Sequence, residues 1–153
     1  MNFTDAFRRS RRALVIFPES SLDGELASSF LRYLLRKFSS ERMMVVIRDD
    51  QLFAMASAPP LKTLTYSVRD INKWFVPRRE LLQRMENNNF DVALDLNLNF
   101  SLTSAFLCKA SQAPLRISFV KKNSDHFYNF QVKTRGNSNK YSYRSLLKCL
   151  DMF

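Results

Sequence analysis

The chain has 153 residues, of which 46% are hydrophobic, and this is enough apolar material for one packed domain and excludes a chain that is disordered throughout. Its net charge of +10 favours an anionic partner, such as nucleic acid, an anionic lipid, a phosphorylated glycan or an acidic protein. The basic residues are spread along the whole chain, which is also typical of a basic protein with no special partner.

The predicted elements alternate between strands and helices along the chain. An apolar run predicts a buried strand over 13–17, and apolar residues that recur every four positions predict an amphipathic helix over about 24–38. The elements that follow are, in chain order, a strand at 43–48, a helical stretch at 51–56, a strand at 63–67, a helix at 77–88, a strand at 91–97, a helix at 101–112, strands at 115–120 and 127–132, and a C-terminal helix at 143–153.

This alternation predicts βαβ units and therefore a mostly parallel sheet. The apolar strands are continuous, as they are where both faces of a sheet are covered. With right-handed crossovers, the fold class is α/β, a Rossmann-like three-layer sandwich with a mostly parallel sheet of five to six strands. We predict one such domain over 13–153, preceded by a basic N-terminal segment over 1–12 that could be flexible.

A ligand of such a sheet binds beyond the carboxyl ends of its strands. The candidate cleft residues in the loops there are Ser20, Ser21, Asp95 and Asn97. The chain has two glycines and contains neither a GxGxxG motif nor a P-loop, so we expect no nucleotide cofactor bound by those routes. A single histidine and two widely separated cysteines predict that there is no metal site.

Basic residues are the candidates for binding an anion or an acidic partner. They comprise one dense cluster near the N-terminus, the last residue of the second strand and two residues that follow the fifth strand. The full set is Arg8, Arg9, Arg11, Arg12, Arg48, Lys121 and Lys122. With Phe3 and Phe7, the N-terminal cluster could form a short amphipathic segment on an anionic membrane surface. Trp74 and Phe75, which basic residues flank, are expected to pack on the sheet edge, with a partner-binding anchor as the alternative.

Two stretches of the sequence resemble the heptosyltransferases, which form glycosyltransferase family 9. In the first, "DVALDL", "SLTSAFL" and "ASQAPLRISF" within 90–119 resemble the family's D-x-x-I-D-L strand, its helix rich in Leu and Ala, and its L-S-G-A-P-R-R-I-G-F segment. In the second, "ALVIFPESSLDGEL" is similar to the family's opening strand, Ser-rich turn and Gly-Asp pair. The resemblance implies the N-terminal, acceptor-binding half of a GT-B glycosyltransferase, with Asp23 as the base that activates the acceptor hydroxyl.

The sequence also departs from the family's pattern. Leu22 and Ser118 each stand where the family has a glycine. The chain ends where the family's first domain ends, whereas the nucleotide-sugar donor binds to the second domain. We therefore expect a stand-alone, degenerate domain that is not an active transferase by itself. Asp23 then has an alternative role as a cap of the helix that follows, which Ser20 or Ser21 could share.

Three functions are open on these observations. The first is a non-catalytic heptosyltransferase-like protein that binds an anionic glycan, a lipid head group or a protein partner. The second is the acceptor-binding subunit of a split glycosyltransferase that another chain completes. The third is a nucleic-acid-binding protein, because basic and aromatic residues are interleaved over 121–141.

Location and assembly follow from the same features. No apolar stretch approaches the length of a bilayer, and two cysteines suit a reduced compartment, so we expect a cytoplasmic protein, with the inner membrane face as an alternative site. A single GT-B half would expose the face that normally meets its second domain, which predicts a homo-oligomer or a complex with another protein.

Overall fold

In the computed structural model, which describes residues 2–56, 58–134 and 138–152, six strands form one sheet. The strands are β1 (Ala13–Ile16), β2 (Met43–Arg48), β3 (Lys62–Tyr66), β4 (Val92–Asp95), β5 (Leu115–Phe119) and β6 (Phe130–Val132). Their order across the sheet is β3-β2-β1-β4-β5-β6, and every neighbouring pair is parallel. The predicted α/β, Rossmann-like fold class is confirmed.

Helices cover both faces of this sheet. Those of the described chain are α1 (Phe3–Arg9), α2 (Gly24–Phe38), α3 (Arg79–Gln83), α4 (Leu102–Ala110) and α5 (Asn139–Asp151). Helices α1, α2 and α5 pack on one face, in a core that includes Phe7, Leu34 and Leu146. Helices α3 and α4 pack on the other face, in a second core that includes Leu81 and Leu107. The two cores and the sheet between them make the three predicted layers.

Two helices differ from their predicted bounds by more than two residues at one end, and the helical stretch predicted over 51–56 is a 3-10 helix over Asp49–Met55. The helix predicted over 77–88 is limited to α3, because turns follow Gln83 and Asn87 has a φ of 66°, which a right-handed helix does not allow. The C-terminal helix begins at residue 139 rather than 143. Ser138 provides its N-cap, since the Ser138 side chain accepts a hydrogen bond from the Tyr141 N–H.

The described residues of the predicted N-terminal segment pack on the domain. Phe7 is buried, with its ring edge-on to that of Phe38. The Asp91 carboxylate accepts hydrogen bonds from the N–H groups of Arg11 and Arg12, which fastens the chain just before β1. The apolar side of this segment therefore contributes to the core, whereas the sequence suggested that it could face a membrane.

The strand order fixes where a ligand would bind. We call the side of the sheet at which the strands end the carboxyl edge, and the opposite side the amino edge. Strand β1 lies between β2 and β4, so the connections that leave β1 and β4 lead to opposite halves of the sheet. This is the topological switch point, and ligands of open α/β sheets bind in the crevice at its carboxyl edge. The segments that begin at Phe17, Asp49 and Leu96 line this crevice.

Candidate functional site

Asp23 lies at the carboxyl edge, where the turn after β1 meets α2. It is 4% exposed, and its Oδ1 accepts a hydrogen bond of 2.5 Å from Nδ2 of Asn139, the first residue of α5. Burial raises the pKa of the Asp23 carboxyl group, and the bond from Asn139 offsets this in part. The Asp23 side chain makes no capping bond to α2, whereas Ser20 caps the preceding 3-10 turn by accepting from the Leu22 N–H.

Gly24 is explained by close packing. A Cβ atom at Gly24 would lie 2.9 Å from the Cβ of Ala54, in the segment that follows β2. One turn further along α2, the Ser28 hydroxyl donates a hydrogen bond of 2.5 Å to the Ala54 carbonyl. The glycine therefore allows α2 to approach the β2 loop, and this contact holds Asp23 beside the crevice.

Asp95, at the end of β4, has hydrogen-bond or ion-pair partners on both carboxylate oxygens. Oδ1 accepts from the backbone N–H of Asn97 at 2.9 Å and from its Nδ2 at 2.8 Å, and the same Nδ2 donates to the Ser104 hydroxyl at 2.9 Å. Oδ2 accepts from the Tyr128 hydroxyl and lies 3.3 Å from Nζ of Lys121. Both Asp95 and Asn97 are buried, so these two candidate cleft residues form the floor of the crevice.

Lys121 is turned inward and does not offer its charge to solvent. Its side chain is 1% exposed, and its ammonium group lies 5.2 Å from the centre of the Tyr128 ring as well as beside Asp95. A buried ammonium group of this kind is tolerated only with a partner of opposite charge. The neighbouring Lys122 is exposed, so the structure separates two lysines that the sequence grouped as anion ligands.

Arg48 and Glu19 connect the loops around the crevice. Arg48 pairs with Asp50 through a contact of 2.7 Å and donates from Nη2 to the Glu19 carbonyl at 3.2 Å. The Glu19 carboxylate accepts from the Ser101 hydroxyl at 2.7 Å, and its N–H donates to Oδ1 of Asn97 at 2.9 Å. The predicted anion ligand Arg48 is thus balanced by a carboxylate, and Glu19 is a residue that sequence reasoning missed.

Two buried polar atoms at this edge were also missed. The Tyr66 hydroxyl and the Gln51 side-chain carbonyl are buried and have no hydrogen-bond partner among the described residues. Burial raises the pKa of the Tyr66 hydroxyl, and the nearby Glu19 carboxylate raises it further. An unpaired buried polar group costs about 1–3 kcal/mol, so a polar ligand atom that reached either group would be stabilised there. The only indication of these two residues in the sequence was that Tyr66 ends β3 and Gln51 lies shortly after β2.

The remaining basic candidates divide between the two edges of the sheet. Arg8, Arg9, Arg11 and Arg12 are exposed, and they lie at the amino edge because they lead directly into β1. Among the exposed polar side chains in segments at the carboxyl edge are Ser20, Ser21, Lys122, Lys133 and Lys140. The N-terminal arginine cluster is therefore not part of the crevice that contains Asp23.

Large apolar side chains are exposed mainly at the carboxyl edge. Among the described residues, those in segments that follow a strand are Leu22, Leu52, Phe53, Val68, Trp74, Phe75, Val120 and Tyr141. Met152, at the end of α5, lies at the amino edge. Exposed apolar groups that collect on one side of a domain are typical of an interaction surface.

Comparison with solved structures identifies a glycosyltransferase-like fold. The chain is similar to the glycosyl transferase family 9 from Veillonella parvula DSM 2008, with a TM-score of 0.70 and 14% sequence identity. The likeness covers 94% of this chain and 42% of that chain, so this chain spans less than half of the neighbour's length. No family profile and no curated protein matches the sequence. The likeness therefore shows the fold and agrees with the family resemblance in the sequence.

Two features are absent from the part of the chain that the structure describes. None of the helices in that part of the chain has the length and apolar character needed to cross a membrane. The same residues bring together no group of three or more His, Cys, Asp or Glu side chains that could hold a metal ion.

Proposed function

We propose that this chain is a heptosyltransferase-like binding domain that holds an anionic glycan at the carboxyl edge and does not catalyse sugar transfer by itself. The observation that supports the proposal is that the carboxylates of Asp23 and Asp95 are both buried and have partners within the fold. A catalytic base must lie within hydrogen-bond reach of the hydroxyl group that it deprotonates. Asp95 is occupied on both oxygens, and Asp23 is almost closed to solvent.

The exposed groups at the carboxyl edge suit a phosphorylated glycan. The hydroxyl groups of Ser20 and Ser21 are exposed beside α2, where sugar hydroxyls could bond to them. Lys122 is exposed after β5 and could pair with a phosphate group. The net charge of +10 would also attract such a ligand from solution.

The test is calorimetric titration of the whole chain with a phosphorylated oligosaccharide and with the same oligosaccharide after phosphatase treatment. We expect binding of the phosphorylated form, and Lys122→Glu should weaken it about tenfold, a loss of about 1.4 kcal/mol. Arg42→Glu is the matched control, because Arg42 is an exposed basic residue that precedes β2 at the amino edge. Equal affinity for both forms, or no binding of either, would contradict the proposal.

A second candidate function is the acceptor-binding subunit of a split glycosyltransferase. The raised pKa of Asp23 favours it, because a more basic carboxylate removes a hydroxyl proton more readily. Burial raises this pKa in the folded state, so the ionised form of Asp23 destabilises the fold. The free energy of unfolding therefore falls as the pH rises through the raised pKa. Asp23→Asn should therefore increase stability at neutral pH, with little change in acid.

The same variant separates the two functions. The chain would be purified from its own cells with any protein bound to it, and transfer from a labelled nucleotide-sugar would be measured. Loss of transfer in Asp23→Asn, with Glu25→Gln at an exposed position of α2 unchanged, would support the split enzyme. Absence of transfer by the native complex would contradict the split enzyme and favour the binding function.

A further inference from the structure

The loop between β3 and α3 presents two adjacent aromatic side chains to solvent. Trp74 is 67% exposed and Phe75 is 70% exposed, although the sequence led us to expect both to pack on the sheet edge. Val68, earlier in the same loop, is 76% exposed. We call these three residues the apolar tip. Large apolar side chains exposed in one loop are typical of an interaction site.

The fold holds this tip in a defined shape. Oδ1 of Asn72 accepts from the N–H groups of Trp74 at 2.8 Å and Val76 at 3.1 Å, while the Asn72 N–H donates to the Val76 carbonyl at 3.0 Å. The Thr103 hydroxyl in α4 donates to the Phe75 carbonyl at 2.7 Å. Phe75 has a φ of 63°, which is unfavourable for a bulky residue and persists only where surrounding contacts impose it. The aromatic rings are therefore displayed by a constrained loop.

Positive charge surrounds the tip. The exposed basic residues of the same connection are Arg69, Lys73 and Arg78, and with Arg79, the first residue of α3, they form what we call the basic collar. Nζ of Lys73 lies 5.1 Å from the centre of the Trp74 ring. The nearby acid Asp70 is paired with Arg84 at 3.1 Å, and within the described chain no residue of the collar forms an ion pair. The collar therefore leaves its charge available to an external anion.

We propose that the apolar tip and the basic collar dock this protein on the surface of an anionic lipid bilayer. Trp side chains prefer the boundary between lipid and water, and basic residues beside them are attracted to anionic head groups. The strength of interfacial binding rises with the buried apolar area and with the attraction to anionic lipids, and this loop contributes to both. Apart from Asp70, which is paired, and the exposed Glu80 in α3, the charges beside the tip are positive, and this excess fits an anionic surface better than the mixed charges of a protein surface. The proposal does not depend on the glycan function, and it concerns a different segment from the N-terminal residues that the sequence suggested for membrane contact.

The experiment uses the fact that Trp74 is the single tryptophan of the chain. The whole protein is mixed with vesicles of phosphatidylcholine alone or with added phosphatidylglycerol, and tryptophan emission and co-sedimentation are recorded. We expect a blue shift and sedimentation with the anionic vesicles only, both weakened by salt. Trp74→Ser should reduce sedimentation about tenfold or more, since it removes the larger part of the inserting surface.

Two further variants complete the test. Phe75→Asn removes the second ring but keeps a residue that tolerates positive φ, so the loop retains its shape and Trp74 still reports. It should weaken both signals. Met152→Ser removes an exposed apolar side chain at the amino edge and should change neither. An unshifted emission spectrum with anionic vesicles at low salt would overturn the proposal. Equal sedimentation of Trp74→Ser and the unchanged protein would also overturn it, as would a blue shift that appears when another protein binds but not when vesicles are added.

Discussion

At the scale of single residues, the ion pair of Asp95 and Lys121 has a measurable consequence. Both side chains are buried, so removing one partner leaves an uncompensated charge in the crevice floor. Lys121→Met should lower the free energy of unfolding by about 3–5 kcal/mol in urea denaturation. Lys122→Met is the matched control, because that neighbouring side chain is exposed and its loss should cost no more than about 0.5 kcal/mol.

The double variant Asp95→Asn with Lys121→Met refines this prediction. It removes both charges, so its loss of stability should be smaller than the sum of the two single losses. Equal stability of Lys121→Met and Lys122→Met would contradict the buried ion pair.

The contacts of the Asp23 and Asp95 carboxylates could not be predicted from the sequence, because their partners are distant along the chain. Asp23 and Asn139, for example, are 116 positions apart.

At the scale of elements, the contact between α2 and the segment after β2 depends on Gly24. Gly24→Ala would favour the helix by at most about 1 kcal/mol on propensity, because Gly24 is the first residue of α2 and the full value applies to a helix interior. The added Cβ would meet the Ala54 Cβ at 2.9 Å, and crowding of this kind costs about 1–3 kcal/mol. We therefore expect a lower free energy of unfolding in urea. Adding Ala54→Gly should restore the space, and no restoration would contradict the packing explanation.

The same scale shows what the sequence can predict. The bounds of α2 and β2 are those predicted, because a four-residue apolar period and a continuous apolar run act locally. The sheet follows from their alternation. The shape of the Trp74–Phe75 loop did not follow, since the Asn72 and Thr103 side chains that hold it act across a turn and between elements. Local patterns thus predicted the strands and helices around the site, whereas contacts between residues distant in sequence determine which side chains are exposed.

At the scale of the whole molecule, the chain is strongly basic, but most aromatic rings in the basic stretch 121–141 are packed inside the fold and cannot stack on bases. Within the interleaved stretch 121–141, Lys121 and Tyr128 are buried. Phe127 packs with Phe100 and Phe106, and Phe130 packs with Phe3. In the described part of this stretch, Tyr141 is the exposed aromatic residue, at 47%. The charge of +10 is therefore available to an anionic polymer, but most of the aromatic rings are not.

This arrangement predicts how the chain would bind single-stranded RNA. Association with oligouridylate, measured by fluorescence anisotropy, should fall steeply as salt rises, because counterion release alone drives it. Tyr141→Ser should leave the affinity unchanged, whereas a stacked base would contribute about 1–3 kcal/mol. Met152→Ser, an exposed apolar change at the other end of α5, is the control. A loss of about tenfold or more in Tyr141→Ser alone, with binding that persists at high salt, would instead support base recognition and the nucleic-acid function.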